Sequence, residues 1–304
     1  METDIDKLIS SIYTKDKYSE LEALSKLFNK DFLERFEELL NRNCRNEEYF
    51  RESYKLSYGW IDKIPLAKYT SPTKNINNIT IEGKTELGDI IFIFTHTNKD
   101  NTGKSSDRIF DTRASLVQAK IAKKAFLLTP IAKMSRTICS TSKELKLLSD
   151  WPEFDLYKTS NSSNPVLRKL NLDIKEQNRK FSGYFSKNWY FGNPQINSDC
   201  NKTFGKFILD LINRREGQSF KNKSDRTDWD KLVNKIISIC GEYNLPPYLF
   251  GIRKPRFFDL SFFYSTPILL FFYFFGLIIP RKKFRVLIIN KMTEEGKKTA
   301  TNSA

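Results

Sequence analysis

Two short runs carry the residue types that hydrolytic chemistry needs. They are Glu86-Leu-Gly-Asp89 at the head of an apolar stretch and Gln118-Ala-Lys120 near the end of the next. Side chains alternate along a strand, so Gln118 and Lys120 share a face from which Ala119 turns away. A hairpin between the two stretches brings Asp89 beside them. A carboxylate, an amide oxygen and an ammonium group then converge on one side of a sheet. A hard divalent cation held by Asp89 and oxygen donors would neutralise a phosphate and lower the pKa of a bound water. Lys120 would orient or help deprotonate that water and stabilise developing negative charge. The pattern is short, and by spacing alone it equally describes an Asp and a Lys on an ordinary half-exposed strand.

Composition excludes several other chemistries. The 304 residues contain one histidine, His96, so a Cys2His2 finger, an HExxH helix or a two-histidine nuclease motif cannot be built within the chain. No GxSxG elbow accompanies His96. Cys44, Cys139, Cys200 and Cys240 are widely spaced, without a CxxC pair, and the acidic start METDIDKL lacks the plan of a signal peptide. Reduced cysteines and a cytoplasmic location are expected. The net charge is +15, and residues 1–50 hold 8 basic against 12 acidic residues, so the remainder carries +19. A strongly basic body attracts polyanions, nucleic acid first and anionic membrane second.

The elements that must position these residues follow from periodicity. Leu21, Leu24, Phe28, Phe32, Phe36 and Leu39 recur at helical spacing, which predicts an N-terminal helical segment over 1–46. Residues 47–60 are read as a further helix, ending near Gly59 and Pro65. Leu87–Phe94 and Phe110–Ile121 are read as two strands of an antiparallel hairpin. Helices are expected over 142–148, 204–213 and 229–240, and a strand over 284–289.

With these residues in place, the chain resembles the PD-(D/E)xK nuclease superfamily, the restriction-endonuclease-like fold. Glu86-Leu-Gly-Asp89-Ile-Ile-Phe-Ile, Arg113-Ala-Ser-Leu-Val-Gln-Ala-Lys120 and Leu148-Ser-Asp-Trp-Pro-Glu-Phe154 are similar to a group of bacterial proteins within it. Thr203-Phe-Gly-Lys-Phe-Ile-Leu-Asp-Leu and Asp228-Trp-Asp-Lys-Leu-Val extend the similarity over roughly 48–240. The resemblance implies an α/β domain over 47–257 with a mixed central sheet flanked by helices. It implies Mg2+ (or Mn2+) held by Asp89, the Gln118 side-chain oxygen and the Ala119 carbonyl, with Lys120 acting on water. It also implies a Glu from a helix before the hairpin, for which Glu52 is the first candidate and Glu48 the second; Glu86 is a further candidate. Gly88 stands where the family usually has proline, and Gln118 where it has an acid, which favours a single cation.

Arg113, Lys123 and Lys124 are candidate phosphate contacts, or else solvated edges of the second strand. Residues 260–279 are 20 consecutive uncharged residues between basic flanks, just long enough to span a bilayer, yet broken by Pro267 and Gly276. For the segment 258–280 three readings stand, a buried or self-associating segment first, then an interfacial or re-entrant contact with the inner face of a membrane and a transmembrane helix, with a terminal strand and disordered tail over 281–304. The resulting expectation is a metal-dependent deoxyribonuclease acting in bacterial defence, with DNA as partner, a controlling partner or ligand, and a homodimer among its possible states. The alternative is a non-catalytic nucleic-acid-binding or membrane-associated adaptor.

Overall fold

The computed structural model describes residues 1–47, 50–61, 65–75, 78–100, 108–122, 127–128, 140–175, 178, 180–193, 199–222, 224–241 and 284–295. Three helices open the chain: α1 (Glu2–Ser11), α2 (Glu20–Lys26) and α3 (Lys30–Arg42). There follow β1 (Asn46–Glu47), β2 (Phe50–Ile61), β3 (Leu66–Tyr69), β4 (Thr85–Glu86), β5 (Ile90–Asp100), β6 (Arg108–Ile121) and β7 (Leu127–Leu128). After α4 (Ser140–Asp150) come β8 (Phe154–Tyr157), β9 (Leu167–Leu170), β10 (Lys180–Phe185), β11 (Asn188–Gly192), β12 (Asp199–Cys200) and β13 (Lys202–Thr203). The chain continues through α5 (Phe204–Ile212), β14 (Gln218–Ser219), α6 (Asp228–Gly241) and β15 (Phe284–Glu295).

The central sheet is mixed. Its order is β1-β2-β15-β5-β6-β10-β11-β13, with β14 added to β6. The β5–β6 pair is antiparallel and β10 runs parallel to β6, while β15 lies between β2 and β5, parallel to β5. One face is covered by α1, α2, α3 and α5, whose Phe32, Phe36, Phe204 and Phe207 pack with Phe92 and Phe94. The other face is covered by α4, α6 and a small sheet of order β4-β3-β8-β9, which pack on Ile91, Ile93 and Leu116. Coverage on both sides explains why Ile90–Phe94 and Val286–Ile289 are continuous apolar runs rather than alternating ones.

The helix expected over 47–60 is a strand instead. Tyr54, Leu56 and Tyr58 recur every second residue and face the N-terminal helices, while β2 pairs with β15 over its whole length. Period two, not 3.6, governs this segment. Its outer edge is closed by α3: Asn41 accepts from the Tyr54 N–H at 2.8 Å and donates to the Tyr54 carbonyl at 2.9 Å, and Glu37 accepts from the Leu56 N–H at 2.6 Å. Among the described residues no helix is long and apolar enough to cross a membrane. The 258–280 segment and the chain end after 295 lie outside the described residues.

Candidate active site

The site forms where β5 begins and β6 ends. Between β4 and β5 the chain passes from the small sheet to the central one through Gly88, whose φ is +154°. A proline, fixed near −65°, cannot take that conformation. A Cβ on residue 88 would also stand 3.2 Å from the Val117 carbonyl oxygen. The turn ends with the Asp89 N–H donating to that oxygen at 3.0 Å, which sets the carboxylate against β6.

Asp89 is 1% exposed, and its Oδ2 accepts from the Ala119 N–H at 2.9 Å and from the Gln118 side-chain amide. Side-chain parity places Asp89, Gln118 and Lys120 on the face of the sheet that α4 covers, with Ala119 in the opposite core. Lys120 Nζ lies 2.9 Å from Glu144 Oε2 on α4 and 3.8 Å from Glu20 Oε2 on α2. Glu20 is delivered there by a reciprocal cap: the Ser19 hydroxyl accepts from the Glu22 N–H, and the Glu22 carboxylate accepts from the Ser19 N–H.

These groups form one electrostatic cluster. Burial works to lower the Lys120 pKa, but Glu144, Glu20 and Asp89 outweigh it and hold the ammonium above its ordinary range. Lys120 is thus held as a cation among these carboxylates. Burial raises the Glu144 carboxyl; Lys120 opposes the rise, and Asp89 and Glu86 add to it. Arg285 of β15 interacts with Asp89 and Glu20. Glu20, Asp89 and Glu144 thus act on Lys120, Glu86 acts on Glu144, and Asp89 and Glu20 act on Arg285.

The oxygen donors at the start of β5 and the end of β6 fit a divalent cation. Gln118 Oε1 is buried without a hydrogen-bond partner, and the Ala119 carbonyl points to the same side as its N–H, toward Asp89. Among the described residues no three Asp, Glu, His or Cys side chains form a cage by themselves. Mg2+ commonly takes one or two carboxylates and completes its shell with water and phosphate oxygens. Asp89, Gln118 Oε1 and the Ala119 carbonyl are the groups that would hold it.

The structure does not bring Glu52 to this cluster. Glu52 lies on β2, not on a helix, and pairs with Lys291 at 2.6 Å. It is level with Asn98 through Thr293, nine residues along the sheet from Asp89 and so about 30 Å away. Arg113 is seven residues from Lys120, about 23 Å along β6. It bonds Asp111 at 3.1 Å and the Gly217 carbonyl at 3.2 Å, which ties β6 to β14. Glu48, Lys123 and Lys124 lie outside the described residues. Glu86 reaches the cluster from β4, a strand of the small sheet, so its phase relative to β5 has no bearing.

Two carboxylates escaped the sequence reading. Glu144 stands four residues before Leu148 on the buried face of α4, and an acid on such a face was the available signal. Glu20 carried no signal beyond its place after a capping serine. A cleft of about 580 Å3 opens beside Glu144 and Glu86. A larger one, about 720 Å3, lies by the start of β6, far from Lys120. There Asp230 accepts from the Lys221 and Thr227 N–H groups and Asp228 from that of Asn171, so these acids serve to cap and anchor α6. No protein-family model matches the chain, and no curated protein or solved structure matches it.

Proposed function

We propose that the chain is a metal-dependent nuclease that hydrolyses DNA phosphodiester bonds, built on a restriction-endonuclease-like core. The observation that carries this reading is the convergence of Asp89, the partnerless Gln118 Oε1 and the Ala119 backbone at one corner of the sheet, with the Lys120 cation beside it. Mg2+ or Mn2+ at that corner would neutralise phosphate charge and supply a more acidic water. In the hydrolysis, the oxygen of water bonds to phosphorus, the P–O ester bond breaks, and the leaving oxygen takes up a proton. Lys120 offers a positive charge where negative charge grows on the phosphoryl oxygens. Asp89 holds the Ala119 N–H and the Gln118 amide, which fixes the two neutral oxygens in place. Glu144 and Glu20 keep the ammonium charged and oriented. A role in bacterial defence under a controlling partner follows from the family resemblance and belongs to the same proposal.

The test is incubation of wild type and Lys120→Ala with plasmid DNA and, separately, single-stranded RNA, in Mg2+, Mn2+ or EDTA. The expected outcome is DNA cleavage that needs metal and falls by about a hundredfold or more in the variant. DNA binding without cleavage by the wild type would favour the adaptor reading. Cleavage retained at full rate in Lys120→Ala would remove Lys120 from the chemistry.

A further inference from the structure

Six residues mark the cleft beside the Lys120–Glu144 pair: Lys84, Glu86, Ser140, Lys143, Glu144 and Ser160. Exposure falls with depth, from the exposed serines through the half-buried lysines and Glu86 to Glu144, which is 1% exposed. The acids thus lie toward the catalytic cluster and the cations nearer the mouth.

The two lysines differ from four other buried or half-buried lysines in what holds them. Lys120, Lys180, Lys202 and Lys291 each face a carboxylate. Lys84 donates instead to the Ser160 and Ser162 carbonyls at 2.9 and 2.7 Å, over the Tyr157 ring at 4.0 Å. Lys143 donates to the Glu82 carbonyl at 2.6 Å. Neutral acceptors position an ammonium without cancelling its charge. An ammonium carries three N–H donors, so one remains at Lys84 and two at Lys143. Lys143 is anchored at the carbonyl of Glu82, two residues before Lys84, so both lysines are tied to the same stretch of the cleft wall.

We propose that this cleft seats a nucleic-acid strand, with Lys84 and Lys143 gripping its phosphates next to the catalytic cluster; the inference rests on the nuclease reading above. The two ammonium groups offset the repulsion that Glu86 and Glu144 exert on an incoming phosphate, and they sit at fixed points. Their contribution is sequence-independent binding that weakens with salt.

The experiment measures binding of a short fluorescent single-stranded oligonucleotide in EDTA across a salt series. It uses the full chain, Lys84→Met, Lys143→Met, the double variant and the two Lys→Arg replacements. Methionine keeps an apolar stem, including that over Tyr157, and removes the charge. Each Met variant is expected to lower the slope of log K against log salt by about 0.7, the double variant by about 1.4, and the Arg variants to restore it. Lysine acetylation of the wild type, with and without oligonucleotide, provides a readout that needs no variant; protection of Lys84 and Lys143 is expected. Unchanged slopes with no protection, or no binding by the wild type, would overturn the cleft assignment. Binding that depends on both lysines without any Mg2+-dependent cleavage would leave the cleft standing and overturn the nuclease reading alone.

Discussion

Lys120 Nζ lies 2.9 Å from Glu144 Oε2, so the end of β6 is tied to α4 through a carboxylate that is 1% exposed. Removing one member of a buried pair strands the other, at a cost of about 3–5 kcal/mol. Glu144→Ala should fall at the low end, because Lys120 keeps Glu20 at 3.8 Å. The double variant Lys120→Met/Glu144→Leu should be less destabilised than the sum of the singles. Urea unfolding in a double-mutant cycle checks this, and a coupling energy below about 0.5 kcal/mol would mean that the pair does not hold α4 to the sheet.

Gln118 supplies the neutral oxygen where an acid would add charge. In Gln118→Glu the amide donor to Asp89 is lost and two carboxylates face each other, at a cost of about 2–3 kcal/mol without metal. The substitution also replaces a neutral oxygen with a carboxylate, so Mg2+ should bind more tightly and stabilise by mass action. The variant is expected to melt below wild type in EDTA and to gain more from added Mg2+. Equal Mg2+-induced shifts in both proteins would place the cation away from Gln118.

The legible parts were those fixed by local pattern. The β5–β6 hairpin, α4, α5 and α6 follow from periods of two and 3.6, and the parity of Gln118 and Lys120 follows from the strand itself. The place of β15 could not be read, because its partners Ile90–Asp100 are almost two hundred residues earlier and no local feature encodes that pairing. The same insertion made β2 hard to recognise. Its Tyr54-x-Leu56-x-Tyr58 alternation is plain only once β15 and α3 supply its two neighbours. The resemblance implies a Glu on a helix before the hairpin; Glu52 lies on a strand, while α2, which precedes the hairpin, and α4, which follows it, supply Glu20 and Glu144 from opposite sides of the sheet.

The Asn41 amide imitates a neighbouring strand by meeting both the N–H and the carbonyl of Tyr54. Edge strands with open backbone groups pair with other chains. Asn41→Ala leaves both groups without this partner, at a cost of about 1–3 kcal/mol. Aggregation on warming should become concentration-dependent in the variant. Asn41→Asp keeps the acceptor and loses the donor, so it should fall between the two. Light scattering during thermal unfolding distinguishes them, and identical onset temperatures for all three would show that α3 does not guard this edge.

Asp210 and Glu216, each nearly buried, share Lys202, which lies 2.9 Å from Asp210 Oδ2; Lys206 stands 3.1 Å from Oδ1. Burial pushes the Asp210 carboxyl up, but Lys202 and Lys206 outweigh it and hold its pKa below the ordinary 3.8. The unfolded chain therefore takes up this proton first as pH falls. The stabilisation is fully present above the unfolded value and is lost as pH drops through the folded one. Lys202 gives the opposite limb: its pKa lies above 10.5 because Glu216 and Asp210 outweigh burial, so its contribution fades only as pH rises past that value. Asp210→Asn should lower the melting temperature most near neutrality, with the gap to wild type closing below pH 3.8. Melting curves down to about pH 2 check this, and a gap that stays constant over that range would show that Asp210 titrates alike in both states.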